Sequence, residues 1–428
     1  MVQLKSKVAF VTGANGISGN AIVEHLIRTP ENEWYCTTSS SRYNIQLSCK
    51  ASTDQPRSKI IITSRSPLAT YWQDHRIEFV AVDFLDPVEK IVEKLSEICA
   101  DVTHAFFTSY VHVDDFKLLR EKNVPLFQNF LDSLDAVAPK LENICLQTGG
   151  KHYGVHLGPT KCPVDETLPR YDDKGENFYY PQEDYMFALQ KKRSWSYNII
   201  RPHAIIGFTP HYNGMSQAIT MALYFLICRE MGVPATFPGN ERFYNTVDDS
   251  SYAPGIADMS VWASTTDACK NEPFNHVNGD VFVWRYFWPL MGKYYGLEIP
   301  EPVFKHATGA AGTHRENEFS MIEWAKDKKP YWEAICKKYG GNPDAFDWGT
   351  WGFFDWSLGK AWPTIGTNNK ARKYGWTRVD DTVETWYKTF KSFEHAGILP
   401  ASRTILADDR KRAGGKGTGV AANGVNGH

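Results

Sequence analysis

Three glycines near the start of the chain carry its clearest chemical signal. The apolar run Val8 to Val11 leads into Gly13, Gly16 and Gly19, and an apolar stretch at helical spacing, Ala21 to Ile27, follows. In such a strand, turn and helix, the first glycine permits a tight turn, the second lets the backbone approach a pyrophosphate, and the third allows close helix packing. The helix N-terminus offers free N–H groups to phosphate oxygens. The spacing therefore predicts a dinucleotide site.

The residues after the second predicted strand, Ile60 to Thr63, indicate which dinucleotide binds. An acidic residue there usually holds the ribose 2′-hydroxyl of NAD. This chain has Arg65 and Ser66 instead, which suit the 2′-phosphate of NADPH, although an ordinary solvated arginine is the alternative. Asp83 is expected to face the adenine, or else to be a loop aspartate before Pro87. The predicted cofactor contacts in this region are Gly13, Asn15, Gly16, Ile17, Gly19, Arg65, Ser66, Asp83, Phe84 and Thr108.

A tyrosine pair and a displaced lysine are the second chemical feature. Ordinary short-chain dehydrogenases carry Tyr-x-x-x-Lys on a helix, where the lysine lowers the pKa of the tyrosine and binds the ribose. Here the helix reads Tyr179-Tyr180-Pro181-Gln182-Glu183-Asp184, and an aspartate follows Tyr180 at the lysine position. A lysine occurs instead after the predicted fifth strand, in Gln147-Thr148-Gly149-Gly150-Lys151-His152-Tyr153, where the usual serine is missing.

These segments resemble the progesterone 5β-reductase and iridoid synthase family, an atypical group of extended short-chain dehydrogenases. Its motif Q-T-G-x-K-H-Y is matched from Gln147 to Tyr153, and N-F-Y-Y-x-x-E-D from Asn177 to Asp184. The resemblance runs from Val8 to about Pro400. It implies that the protein reduces the activated C=C bond of an enone or enal with NADPH, with Lys151 and Tyr180 as catalytic residues.

The chemistry of that reaction suits those two side chains. Hydride addition to the β-carbon places negative charge on the carbonyl oxygen, as an enolate. The phenol of Tyr180 can donate a hydrogen bond to that oxygen, and the ammonium of Lys151 adds positive potential; such donors supply about 3–4 kcal/mol each. A packed core aromatic is the alternative for Tyr180. Tyr179 and His152 are interpreted as structural.

The resemblance also implies contacts on either side of the reacting atoms. Contact with the cofactor is expected from Tyr180 and from the residues at the end of the sixth strand, Pro202, Ala204 and Ile205. The residues at this strand end are expected to line the nicotinamide ring. The C-terminal lobe is expected to close an apolar pocket lined by Met215, Phe353 and Phe354, although aromatic residues at helical spacing are more often core.

Strands that alternate with helices place these residues in a doubly wound parallel sheet. We expect an α/β Rossmann-type domain over 1–210, with a surface insertion at 35–57, and a smaller, mainly helical substrate lobe over 211–405 with some segments returning to the first domain. The polar, Gly- and Ala-rich end, 406–428, is expected to be a disordered tail.

Composition narrows the range of partners. The net charge of −2 gives no reason to expect nucleic acid. The 8 cysteines form no C-x-x-C pair, so neither a metal site nor a disulfide framework is predicted. The longest apolar stretch is too short to span a bilayer, and the first strand begins too early to leave room for a signal peptide. A cytoplasmic protein that acts on a small apolar enone or enal is expected, with a homodimer left open.

Two other functions remain open at this stage. A carbonyl reductase would send hydride to the carbonyl carbon, and the same tyrosine and lysine would stabilise an alkoxide. A non-catalytic NADP(H)-sensing regulator would need neither Lys151 nor Tyr180, so their presence argues against it.

Overall fold

The computed structural model describes residues 7–30, 59–65, 71–113, 116–305 and 316–415. The expected insertion at 35–57 and the cofactor candidate Ser66 lie outside these residues. In the described ranges the strands are β1 (Val8–Thr12), β2 (Lys59–Ser64), β3 (Ile77–Ala81), β4 (His104–Phe107), β5 (Asn143–Gln147), β6 (Ser196–Pro202), β7 (Ile205–Ile206), β8 (Val247–Asp248), β9 (Ser251–Tyr252), β10 (Glu272–His276) and β11 (Phe282–Val283).

Helices connect these strands and build the second half of the chain. They are α1 (Ile17–Arg28), α2 (Val88–Leu95), α3 (Phe116–Val137), α4 (Tyr179–Gln190), α5 (Gln217–Met231), α6 (Glu241–Tyr244), α7 (Ala253–Thr265), α8 (Trp284–Tyr294), α9 (Met321–Ala325), α10 (Lys329–Tyr339), α11 (Trp351–Leu358), α12 (Asn369–Lys373), α13 (Thr382–His395) and α14 (Ser402–Gly415). None of the helices in the described ranges is both long and apolar enough to cross a membrane.

A parallel sheet of seven strands positions the site, in the order β10-β6-β5-β4-β1-β2-β3. The central strands are runs of Val, Ile and Phe that are buried on both faces, as parallel strands covered by helices require. These strands confirm the predicted α/β Rossmann fold. The seventh strand, β10, was not predicted as a strand, because its sequence EPFNH contains a proline and has no apolar run. Its place at the edge of the sheet, beside β6, tolerates both.

Helices cover both faces of the sheet. On one face α2, α3 and α4 bury a core that includes Phe127, Phe130 and Met186. On the other face α1 packs against α7, with Ile22 and Ile256 fully buried. Since α7 and β10 come from the second half of the chain, they are segments that return from that half to the sheet.

The second half of the chain forms its own aromatic core. Buried side chains from α5, α8, α10, α11 and α13 meet there, including Trp288, Trp332 and Trp386. The helical character expected for this lobe is therefore present. Helix α14 continues to Gly415, so residues 406–415 are helical where the sequence predicted a disordered tail. Residues 416–428 lie outside the described residues.

Candidate active site

The glycine turn between β1 and α1 has the geometry that its spacing predicts. Gly13 adopts φ +63, where a side chain would be strained, and a Cβ at Gly19 would lie only 2.1 Å from the carbonyl oxygen of Gly13. A Cβ at Gly16 would meet that same oxygen at 3.2 Å, and the next nearest atom, Nδ2 of Asn213, at 3.9 Å. The turn therefore needs Gly13 and Gly19 for its own shape, while Gly16, the N-cap of α1, leaves the helix N-terminus open to a ligand.

Neighbouring strand ends are tied to this turn by hydrogen bonds. The Thr108 hydroxyl donates to the carbonyl oxygen of Thr12 at 2.6 Å, and the Thr108 backbone N–H donates to the Thr12 hydroxyl at 3.1 Å. Gln147, at the end of β5, donates through Nε2 to the hydroxyl of Ser18 in α1 at 2.9 Å. Thr108 thus lies beside the glycine turn, and hydrogen bonds tie the ends of β1 and β4 to each other and the end of β5 to α1.

The other predicted cofactor residues divide into exposed and buried groups. Arg65 is exposed at the end of β2, and Ala204 is exposed just after β6. Asp83 accepts a hydrogen bond from the Leu85 backbone N–H at 3.0 Å, which gives it a role in its own turn. The side chain of Phe84 is buried against the ring of Phe130, with the centroids 5.5 Å apart. Contact between Phe84 and a cofactor would therefore involve its backbone.

Lys151 lies in a short 3-10 helix, Gly150–Tyr153, directly after β5. Burial lowers the pKa of its ammonium from the ordinary value. Its Nζ atom lies 5.5 Å from the centroid of the Trp356 ring in α11, a cation–π distance that joins the Rossmann domain to the lobe. Trp356 was not among the residues predicted from the sequence; its position three residues after Phe353, on the same helix face, was the available signal.

The two tyrosines of the pair have different environments. The Tyr180 hydroxyl donates to the carbonyl oxygen of His152 at 2.7 Å and accepts from the Tyr171 backbone N–H at 3.2 Å. The guanidinium of Arg170 covers its ring at 4.6 Å from the centroid. Burial raises the pKa of Tyr180, which keeps the phenol protonated. These contacts describe a tyrosine that holds the loop around Tyr171 against the turn that carries Lys151.

Tyr179 instead turns its hydroxyl toward the strand edge. A Cβ built on Gly149 would lie 3.2 Å from the Tyr179 hydroxyl and 3.4 Å from the carbonyl oxygen of Pro202. Among the residues that the structure describes, none hydrogen-bonds to the Tyr179 hydroxyl. Burial, followed by the nearby Tyr110 and Glu183, raises the pKa of Tyr179. A protonated phenol thus lies over Gly149, which is two residues before Lys151 in sequence.

A carboxylate occupies the helix position that holds lysine in ordinary members of the superfamily. Counted from Tyr179, the fourth following residue is Glu183, which is 2% exposed. Its two oxygens accept from Nη2 of Arg201 at 3.2 Å and from Nη2 of Arg170 at 2.9 Å, and Nδ1 of His152 lies 3.3 Å away. Burial would raise the pKa of Glu183, but His152, Arg201 and Arg170 outweigh it and lower the pKa to about 2. The predicted structural role of His152 fits this buried cluster.

The three predicted pocket residues have different surroundings. Phe354 is fully buried in the lobe core, 6.4 Å from Trp288 between ring centroids, so its assignment to the pocket is corrected. The reason is helical geometry, since Phe353 and Phe354 point about 100° apart. Phe353 is half-buried and stacks on Trp356 with the centroids 5.9 Å apart. Met215 is half-buried in a turn closed by Asn213.

The fold is that of a Rossmann-type α/β protein, and similarity to named relatives makes the protein an oxidoreductase of the short-chain dehydrogenase class. A family model described as a PRISE-like Rossmann-fold domain matches residues 9–400. The chain therefore belongs to the PRISE-like Rossmann-fold family, which confirms the resemblance stated from its motifs.

Curated relatives cover almost the whole chain. A short chain dehydrogenase of Penicillium aethiopicum is 41% identical over 397 residues, covering 92% of this chain and 99% of that protein. An (S)-8-oxocitronellyl enol synthase of Nepeta racemosa is 32% identical, covering 90% and 92%. A 3-oxo-Delta(4,5)-steroid 5-beta-reductase of Arabidopsis thaliana is 29% identical, covering 90% and 92%.

Solved structures share the architecture at much lower identity. The epimerase Mth375 of Methanothermobacter thermautotrophicus superposes with a TM-score of 0.59 at 13% identity, covering 92% of this chain and 93% of that one. At this identity the likeness concerns the fold alone.

Proposed function

We propose that this protein is an NADPH-dependent reductase of the activated C=C bond of an enone or enal. One observation carries the proposal: the phenol of Tyr179 lies over Gly149, two residues before the half-buried Lys151. Both residues thus lie at the carboxyl edge of the sheet, where open α/β folds bind their ligands. The relatives support this reading, since one is named for forming an enol and another for acting on a 3-oxo-Delta(4,5)-steroid, which is an enone.

The residues at the glycine turn fit a dinucleotide. A side chain at Gly16 would stand where the pyrophosphate approaches the N-terminus of α1, and that position is left clear. Arg65 is exposed at the end of β2, and no acid lies there, which favours a 2′-phosphate over a 2′-hydroxyl. Backbone groups after Pro202 would line the nicotinamide. When bound there, NADPH supplies the hydride that adds to the β-carbon of the substrate.

Lys151 and Tyr179 hold the carbonyl oxygen of the substrate during that addition. The oxygen gains negative charge as the enolate forms, and donors fixed in advance stabilise it more than they stabilise the neutral carbonyl. The Tyr179 hydroxyl donates a hydrogen bond and the ammonium of Lys151 provides positive charge. The α-carbon then takes a proton from water.

The sequence assigned the tyrosine role to Tyr180, and our proposal moves it to Tyr179. The reason is the commitment of the Tyr180 hydroxyl to His152 and Tyr171. A donor with two backbone partners would have to break one of them to reach a substrate.

Product analysis tests the proposal directly. The purified protein is incubated with NADPH and a panel of simple enones and enals, starting with 2-cyclohexen-1-one, and the products are identified. A saturated ketone or aldehyde is the expected product. An allylic alcohol that retains C=C would indicate carbonyl reduction, and no turnover on the whole panel would favour the NADP(H)-sensing regulator; either result would overturn the proposal.

A further inference from the structure

Asn177 joins the backbones that carry the two proposed catalytic side chains. Its Nδ2 atom donates to the carbonyl oxygen of Lys151 at 3.0 Å, and its Oδ1 atom accepts from the Tyr179 backbone N–H at 3.1 Å. Asn177 is 7% exposed, so water competes little for either bond. One amide therefore fixes the spacing between the turn after β5 and the start of α4.

Asn177 is itself held in place. Its backbone N–H donates to Oδ2 of Asp173 at 2.7 Å, and its Nδ2 atom lies 3.4 Å from the hydroxyl of Tyr171. Tyr171 in turn donates its backbone N–H to the hydroxyl of Tyr180. The amide therefore cannot rotate away without disturbing the loop before α4.

The chemistry of the side chain explains why an asparagine stands here. An amide has both an acceptor and two donors, whereas a carboxylate can only accept and a hydroxyl is too short to reach both backbones. The acceptor alone holds the Tyr179 backbone N–H at the start of α4, a role that aspartate fills equally well. The donor to Lys151 is what an aspartate would lack.

We propose that Asn177 is a positioning residue that sets the Lys151 ammonium relative to the Tyr179 hydroxyl. The inference rests on the proposed function, since it assumes that both side chains hold the substrate oxygen. A shift of about 1 Å in a catalytic group can cost on the order of 100-fold in rate. A link between the two backbones thus controls the reaction without touching the substrate.

The test is Asn177→Asp, which keeps the acceptor for the Tyr179 backbone N–H and removes the donor to Lys151. The matched control is Asn240→Asp. Asn240 is also buried, caps α6 through Oδ1 with the Phe243 backbone N–H, and donates through Nδ2 to the carbonyl oxygens of Leu358 and Lys360. Both substitutions thus remove a buried donor to backbone and create the same charge, so they should lower the melting temperature alike.

The rates should separate the two variants. Asn177→Asp is expected to lower kcat by about tenfold or more on a simple enone, through misplacement of Lys151. Asn240→Asp should leave kcat, measured per folded molecule, within about twofold of the wild-type value. In both variants the dissociation constant for NADPH, measured by NADPH fluorescence, should also stay within about twofold of the wild-type value. Equal loss of kcat in the two variants would show a general effect of buried charge and overturn the proposal.

A double substitution shows whether Asn177 acts through Lys151. If it does, Asn177→Asp should have little further effect on kcat once Lys151→Met has removed the ammonium. An equal fold loss in both backgrounds would refute positioning of Lys151, although the proposed reductase function would stand. If Lys151→Met alone leaves kcat unchanged, the catalytic role of Lys151 fails, and the inference fails with it.

If Asn177→Asp is too unstable to fold, the variant Asn177→Gln provides a second test. This variant retains both kinds of polar group on a longer side chain, and should partly restore the rate lost in Asn177→Asp. A soluble Asn177→Gln protein that keeps wild-type NADPH affinity but has a rate as low as that of Asn177→Asp would count against positioning through the donor to Lys151. Wild-type kcat in Asn177→Asp would refute it.

Discussion

The hydroxyl of Tyr180 donates to the carbonyl oxygen of His152 at 2.7 Å, so this hydroxyl of the tyrosine pair is already committed to the protein backbone. His152 follows Lys151, so the bond fastens the short 3-10 turn that carries Lys151. The neighbouring Tyr179 hydroxyl lies over Gly149 instead.

Two matched substitutions therefore separate the tyrosines. Tyr179→Phe should lower kcat by about 100-fold or more on a weakly activated enone, because it removes a hydrogen bond to the substrate oxygen that forms chiefly in the transition state. Tyr180→Phe should keep kcat but lower the free energy of unfolding by about 1–3 kcal/mol, since it leaves the His152 carbonyl and the Tyr171 N–H without that partner. Turnover and chemical denaturation measure the two effects. The opposite pattern would return the catalytic role to Tyr180.

The ammonium of Lys151 should give the reaction a basic limit. Burial lowers its pKa below the ordinary value of 10.5, so kcat should fall as the pH rises through that lowered value. Lys151→Met should be slow and lack this limit. A profile of kcat from about pH 6 to about pH 10 in both proteins measures it. A basic limit that persists in Lys151→Met would assign it to another group.

The same burial predicts the sign of the stability effect of Lys151. The pKa of Lys151 is lower in the folded protein than in the unfolded chain. At a pH below both pKa values, the charged lysine therefore lowers the free energy of unfolding, and this destabilisation is lost as the pH rises through the two values. Lys151→Met should therefore be at least as stable as the wild type at neutral pH. Thermal melts at neutral and alkaline pH test this, and a marked loss of stability at neutral pH would contradict it.

Arg65 should determine the preference for NADPH. It is exposed, so Arg65→Ala should not disturb the fold. The KM for NADPH should rise about tenfold or more, while the KM for NADH should change little, because only NADPH has the 2′-phosphate. Steady-state kinetics with both cofactors give the answer. A wild-type enzyme that uses NADH equally well would refute the NADPH assignment.

Phe353 and Phe354 should respond oppositely to truncation. Phe354→Ala should cost about 3–5 kcal/mol of stability, because it empties a fully buried site beside Trp288. Phe353→Ala should cost much less stability and raise the KM for a bulky apolar enone, since Phe353 is half-buried against Trp356. Chemical denaturation and substrate kinetics separate the two. A large KM effect of Phe354→Ala in a stable protein would restore it to the pocket.

The segment 35–57 remains a prediction from composition. A variant that joins Trp34 directly to Ser58 should fold and keep its activity, because the connection between α1 and β2 is normally short. Soluble yield and turnover test this. Insoluble protein would show that the segment is integral.

The sequence alone determined the parts of this protein that depend on local pattern. Buried parallel strands must be apolar throughout, so six strands of the sheet could be predicted from short runs such as Val8 to Val11. The turn after β1 requires a glycine at Gly13 because of its positive φ, and at Gly19 because of close packing, so the shape of this turn could be predicted from the spacing of its glycines. The motif around Lys151 was specific enough to identify the family.

Tertiary structure decided what depends on direction and on partners distant in the chain. Tyr179 and Tyr180 are adjacent and chemically identical, and only the folded loop around Tyr171 shows which hydroxyl is already occupied. Phe353 and Phe354 likewise differ only in the side of α11 on which they lie. Trp356 contacts Lys151 although about 200 residues separate them in the sequence. Asn177 likewise hydrogen-bonds to the backbones of both Lys151 and Tyr179, which lie far apart in the sequence. Side-chain identity sets which chemistry is available, whereas orientation and hydrogen-bond partners, which arise only on folding, determine which residue performs it.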